Sequence, residues 1–334
     1  MAAQNNKMAV IGGGSWGTAL AELAARAGHA VRLYARDPAI VAQINDDREN
    51  PAYLPQTRLH DQLTATAEMA ALGDAEVVLL VVPAQQLRSV ARDLQAAVPV
   101  PVPVVICAKG IEHGSGLLMS EVAAQELPNW PLAVLSGPSF AAEAVRSQPT
   151  AVTLAANDIA LAQYLSAALA SAYFRPYSSD DIVGVEVCGA VKNVIAIAAG
   201  IAGGLGFGAN TKAALITRGL AEIGRLTRAL GGRPETTIGL AGLGDLMLTC
   251  GSRQSRNTDL GYRIGSGEAV PQALASGPLA EGVYSAAAVL VRAANAGVEM
   301  PIAAAVDAVI NKNADLTATV DGLLARPLRG EHDR

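Results

Sequence analysis

The sequence predicts an α/β fold in two parts: a doubly wound sheet over residues 1–184, followed by an all-helical domain over 185–334. Three observations predict it. In the first half, short apolar runs alternate with helical stretches, the pattern of parallel strands joined by crossover helices. After about Ile182 the strand pattern stops and helical periodicity takes over. A glycine-rich turn, Gly12-x-Gly14-x-x-Gly17, stands where the first strand meets the first helix.

Taken in order, Met8 to Ile11 reads as a strand and Thr18 to Ala27 as an alanine-rich helix. Ala30 to Ala35 is a second strand. Ala75 to Val82 is almost wholly apolar, as a strand buried on both faces must be. Gln85 to Ala97 is helical, and the proline-rich run Pro99 to Pro103 is a stiff loop. Val104 to Lys109 and Leu132 to Leu135 are further strands. Each strand ends in a small or polar segment, and in an open α/β sheet those ends line the ligand crevice. The second half reads as helices over Val185–Ile201, Asn210–Leu230, Glu281–Ala296 and Ile302–Asn311, with a polar tail from Arg326 to Arg334 expected to fray.

Composition narrows the function. Of 334 residues 51% are hydrophobic and 16% charged, enough apolar surface for a large core. A net charge of −5 argues against nucleic acid as the partner. Cys107, Cys188 and Cys250 are odd in number and far apart, and the four histidines share no ligand spacing. This reads as reduced thiols, a cytoplasmic setting and no metal. No signal-peptide hydrophobic region precedes the first strand. The long apolar stretch Val187–Leu205 carries Lys192, Asn193 and glycines, and is expected as a buried helix rather than a membrane span.

The glycine turn suits a dinucleotide in a Rossmann-like domain. Gly12 turns the chain off the strand, Gly14 lets the backbone approach a pyrophosphate, and Gly17 lets helix and strand pack closely. The helix N-terminus then faces the phosphate. The same pattern also serves as a plain strand-to-helix turn. At the end of the second strand, where an acidic residue would grip a ribose 2′-hydroxyl, stands Arg36, followed by Asp37. Arginine suits a 2′-phosphate, so NADP(H) is favoured and NAD(H) remains open. Before Pro38, Asp37 also fits a turn.

Several polar residues stand where polarity is costly. Lys192 shares a helix face with Cys188, Gly189, Ile195 and Ala196, none of them a carboxylate. It either snorkels to solvent or has a lowered pKa for acid–base work. Asp245, inside the apolar, glycine-punctuated Leu240–Leu246, needs a cation, for which Lys192 is a candidate, or else caps a helix. Lys109 closes a strand before Gly110, either at the crevice rim or merely solvated. Gly137-Pro138-Ser139 fits a tight turn at another strand end. Ser255-Arg256-Asn257 is either a phosphate clamp or an ordinary polar loop.

Together these segments resemble the NAD(P)+-dependent glycerol-3-phosphate dehydrogenase family in its bacterial form. The matching pieces are Gly12–Ala19, Ala108–Glu112, Leu135–Glu143, Glu186–Asn193, Ala241–Leu246, Ser255–Asn257 and Glu281–Gly282, in order along nearly the whole chain. The resemblance implies a C-terminal fold like that of 6-phosphogluconate dehydrogenase. It implies reduction of dihydroxyacetone phosphate to sn-glycerol 3-phosphate, the glycerophospholipid backbone. It implies Lys192 as general acid/base, and substrate contacts from Lys109, Gly137, Ser139, Lys192, Asp245, Ser255, Arg256 and Asn257. Cofactor contacts are implied at Ser15, Trp16, Arg36, Lys109, Ala141, Arg256, Leu279 and Glu281, beside the glycines Gly12, Gly14 and Gly17. A homodimer is the expected assembly. The rival classes are a β-hydroxyacid or ketopantoate-type reductase, whose substrates carry a carboxylate, and a non-catalytic NADPH sensor.

Overall fold

An eight-stranded sheet organises the first half of the chain, in the order β3-β2-β1-β4-β5-β6-β7-β8. The computed structural model describes residues 5–327 and residue 330; the remainder of the expected fraying tail, and residues 1–4, lie outside the described residues. The strands are β1 (Lys7–Ile11), β2 (Ala30–Tyr34), β3 (Leu63–Thr66), β4 (Val77–Leu80), β5 (Val104–Ile106), β6 (Leu132–Ser136), β7 (Thr150–Ala156) and β8 (Phe174–Ser179). All neighbours pair parallel except β6 and β7, which run antiparallel. β4 is buried throughout, as its unbroken Val-Val-Leu-Leu requires. Strands are added outward in one direction as β1-β2-β3 and in the other from β4 onward, so the strand order switches between β1 and β4, the switch point at which open α/β sheets bind ligands.

The helices of this part are α1 (Ser15–Arg26), α2 (Pro38–Ala42), α3 (Leu87–Ala97), α4 (Met119–Glu126), α5 (Ala141–Ala144) and α6 (Ile159–Leu169). α1 starts at Ser15, three residues before the alanine run at Thr18, because Gly14 stays extended and lets the helix begin at once. Its face Leu20, Leu23 and Ala24 joins Met8, Val10, Leu33 and Leu79 in the sheet core.

The second part holds α7 (Ile182–Gly204), α8 (Ala209–Ala229), α9 (Pro234–Ile238), α10 (Asp245–Gly251), α11 (Arg256–Gly265), α12 (Val270–Ser276), α13 (Glu281–Asn295), α14 (Pro301–Asn311) and α15 (Leu316–Leu324). α7 is apolar and long enough to cross a membrane, but 89% of its most apolar window is buried inside the protein, as the axis of a helical core. It meets α11 backbone to backbone. A Cβ on Gly200 would lie 2.2 Å from the Thr258 carbonyl oxygen, and one on Gly261 2.1 Å from that of Ile197.

Contacts divide the chain into two units, 1–108 with 119–182, and 109–118 with 183–334. The excursion 109–118 is a short hairpin closed by an Ile111–Leu118 bridge, and both of those residues are buried in the helical core. The strand expected over Val104–Lys109 therefore stops at Ile106, and Lys109 belongs with the helices rather than at a strand end.

Candidate active site

In the helical unit, the charged centre is built on α7, α10 and the 109–118 hairpin. Lys192 sits mid-way along α7, and its ammonium donates to Asp245 Oδ1 at 2.6 Å and to Thr249 Oγ1 at 2.7 Å. Its third N–H has no acceptor among the described residues. Lys109 Nζ approaches the other carboxylate oxygen of Asp245 at 2.7 Å. Asp245 and Thr249 stand one turn apart on α10 and so share a face. Just before α10, the wide turn Leu240–Gly244 brings Gly242 so close to Thr237 that a Cβ would lie 2.0 Å from its carbonyl oxygen. This is why that stretch is rich in glycine.

Burial sets the electrostatics. Side-chain exposure is 8% at Lys192 and 2% at Asp245. Loss of water pulls the Lys192 ammonium down from the ordinary lysine value to about 8. The Asp245 carboxylate pulls the other way and Lys109 reinforces the drop. For Asp245, burial alone would raise the pKa, but the two lysines outweigh it and hold the carboxyl below its usual range. The snorkelling alternative for Lys192 is excluded by its burial; a lysine with a lowered pKa is what the geometry contains.

The polar run at 255–257 divides its labour. Ser255 caps α11, its hydroxyl accepting the Thr258 amide. Asn257 is buried, donating to Asn193 Oδ1 at 3.0 Å and accepting the Gly282 amide at 2.9 Å, so one amide hydrogen remains. Asn193 reaches back to the Lys109 carbonyl at 3.4 Å. Arg256 is exposed and makes no hydrogen bond or ion pair among the described residues. Leu279 is 42% exposed, and Glu281 opens α13.

The sheet unit carries the glycine turn. Gly12 has a φ of +128°, and a Cβ there would lie 2.1 Å from the Val81 carbonyl oxygen. A Cβ on Gly17 would lie 1.8 Å from the Gly12 carbonyl oxygen, whereas one on Gly14 would meet nothing within 4 Å. Two glycines are thus demanded by the fold, and Gly14 opens onto free space. α1 has no side-chain cap, so its first amides are left for another acceptor. Trp16, in the first turn, has a buried indole N–H without an acceptor among the described residues. Trp16 and Ala141 pack on one small cluster with Ala19, Leu54 and Val145. These features fit a dinucleotide pyrophosphate. Ser15 donates to the Tyr53 carbonyl. Arg36 is exposed and without a partner among the described residues, while Asp37 caps α2 through the Ala39 amide at 2.9 Å. Gly137 has a φ of +147° at the end of β6, and Ser139 donates to its carbonyl at 3.1 Å.

Comparison with known proteins identifies the family. The family models described as the N-terminus and C-terminus of NAD-dependent glycerol-3-phosphate dehydrogenase match residues 7–162 and 181–321. The chain belongs to this family of oxidoreductases. A glycerol-3-phosphate dehydrogenase (NAD(P)+) of Rhodospirillum rubrum is 55% identical over 97% of this chain and 93% of its own length. Another from Methylobacterium radiotolerans is 54% identical over 97% and 98%. A crystal structure of glycerol-3-phosphate dehydrogenase from Coxiella burnetii superposes with a TM-score of 0.91 at 40% identity, covering 96% of this chain and 99% of that one.

Two members of this dehydrogenase's site escape a reading of the sequence. Thr249 holds the Lys192 ammonium, and Asn193 links α7 to α11 and to the hairpin. The one available signal for Thr249 is its four-residue spacing from Asp245.

Proposed function

We propose that this dehydrogenase reduces dihydroxyacetone phosphate to sn-glycerol 3-phosphate, with Lys192 as the general acid that protonates the C2 oxygen. The observation that carries this is the buried Lys192 ammonium, held by Asp245 and Thr249 with one N–H still unused. A pKa of about 8 suits it to give a proton near neutrality and to regain one in the reverse direction. When bound, the nicotinamide supplies the hydride that adds to C2. Asp245 keeps the lysine charged and aimed, and Lys109 shares that carboxylate and orients the substrate. Arg256, with the remaining Asn257 hydrogen and Ser255, holds the phosphate. Gly137 and Ser139 complete the substrate set.

In this reading residues 1–184 bind the nucleotide and 185–334 carry substrate and catalysis. Gly12, Gly14, Ser15, Trp16, Gly17, Arg36, Lys109, Ala141, Arg256, Leu279 and Glu281 contact the cofactor. The unpartnered Arg36 guanidinium supports NADP(H), as does the use of Asp37 as a helix cap rather than a ribose ligand. The enzyme works in the cytoplasm as a homodimer and supplies the glycerophospholipid backbone.

The test is oxidation of NADPH, and separately NADH, with dihydroxyacetone phosphate or a 2-oxo acid. Turnover of the phosphate substrate alone is expected, faster with NADPH. Turnover of the carboxylate substrate instead, or cofactor binding without turnover of either, overturns the reading.

A further inference from the structure

Asn50 is fully buried in the sheet unit, outside the strands and helices that build it. Its side-chain amide donates to the Gly13 carbonyl at 3.0 Å and to Thr18 Oγ1 at 2.8 Å. Thr18 in turn donates to the same carbonyl at 3.4 Å. Both amide hydrogens of Asn50 are therefore spent on the glycine turn and the start of α1. The side-chain oxygen, Oδ1, is buried and has no hydrogen-bond partner among the described residues. A buried acceptor left unpaired costs stability. Turning the amide over brings no relief, because it sets Oδ1 against the Gly13 carbonyl, acceptor facing acceptor. The fold gives up one hydrogen bond to keep a donor on Gly13.

The residues that follow hold Asn50 there. The Tyr53 and Leu54 amides donate to its backbone carbonyl at 3.2 and 2.7 Å, which closes a turn. Ser15, the first residue of α1, donates to the Tyr53 carbonyl at 2.7 Å. The Leu54 side chain is buried in the cluster of Trp16 and Ala19. Residues 50–54 thus strap the glycine turn and the first turns of α1 together.

The Gly13 carbonyl matters through the amide that follows it. The Gly13 C=O and the Gly14 N–H belong to one planar trans peptide and point in opposite directions. With the carbonyl turned onto Asn50, the Gly14 N–H faces away from it, and that N–H makes no hydrogen bond among the described residues. A peptide between two glycines meets little steric resistance to turning over, so its orientation has to be fixed from outside.

We infer that Asn50 is a positioning residue for the cofactor: by holding the Gly13 carbonyl it aims the Gly14 N–H at the pyrophosphate. The inference rests on the reading of the glycine turn as the dinucleotide site. NAD(H) and NADP(H) share the pyrophosphate, so Asn50 serves both alike, whereas Arg36 discriminates between them.

Calorimetric titration of NADPH, and separately NADH, into the full chain without substrate tests it. Asn50→Ala is expected to raise Kd about 10- to 100-fold for both cofactors, by the same factor. Its kcat at saturating cofactor and its KM for dihydroxyacetone phosphate are expected to hold. Its urea midpoint is expected to change little, because the unpaired oxygen is removed together with the donor. A second variant keeps the shape of the side chain. Asn50→Asp can donate to Gly13 only while protonated, so its affinity for NAD+ is expected to recover, relative to the wild type, as pH falls. A Kd that Asn50→Ala leaves unchanged or raises for one cofactor only overturns the inference and spares the dinucleotide reading. So does a loss spread equally over kcat and the KM for substrate, or an Asn50→Asp variant without recovery at low pH. A wild type that binds neither cofactor overturns both.

Discussion

At the scale of single residues, the proposed chemistry rests on one ammonium group taken out of water. In the proposed role of general acid, Lys192 must carry its proton, so dihydroxyacetone phosphate reduction is expected to fall as pH rises through about 8, and the reverse oxidation to rise over the same range. Initial rates at saturating cofactor from pH 6 to 10 measure this. Asp245→Asn removes the attraction that keeps the group protonated, while its burial persists, so the inflection is expected to move down by about 1–3 pH units; an upward move would reject the assignment. Lys192→Ala is expected to bind NADPH normally and lose about 10²–10⁴-fold in kcat. Arg256→Ala is expected to raise KM for the phosphate substrate about 10- to 100-fold. Lys192 and Asp245 are legible in the sequence because charge inside an apolar run is conspicuous. Thr249 and Asn193 are not, because a hydroxyl and an amide are ordinary in helices. Lys109 is singled out at a strand end, but its pairing is illegible for another reason: Lys109 and Asp245 lie 136 residues apart, and no local pattern announces the pair.

At the scale of elements, close backbone packing and one buried carboxyl set the stability of the helical unit. Gly261→Ala drives a methyl into the Ile197 carbonyl of α7 and is expected to cost about 1–3 kcal/mol, read as a lower urea midpoint. Glu222 on α8 accepts the Ile302 and Ala303 amides at the start of α14. Burial pushes its pKa up to about 7, against the pull of those amides and of Arg225 and Arg326. The folded chain then holds a proton that the unfolded chain releases, so stability is expected to decline as pH rises from about 5 to about 7, by on the order of 3 kcal/mol. Glu222→Gln is expected to remove that slope from the urea midpoint. The central strands and long helices were readable from their apolar runs. Three strands were not: β3 is four residues long, β7 is mostly alanine and threonine, and β8 contains Pro176, which breaks the strand pattern. α9, α10 and α12 are too short for a helical period to declare itself, and α15 hides because its apolar face buries nothing within its own chain.

At the scale of the whole molecule, two features of the sequence carry the architecture: alternation in the first half and helical periodicity in the second. What neither conveys is the hairpin 109–118, which leaves the sheet unit, supplies Lys109 to the helical one, and is followed by a return to the sheet at Met119. That detour bears on synthesis. The hairpin leaves the ribosome well before any of α7 to α15 exists, yet Ile111 and Leu118 are fully part of their core. They stay without their packing partners while another 64 residues, 119–182, are made. The helical unit is therefore barred from folding as a late, self-contained piece, and a fragment beginning at Val183 lacks a cation of its own centre. Ordered, domain-by-domain maturation along the nascent chain gives way here to a final step that joins an early hairpin to the last helices made.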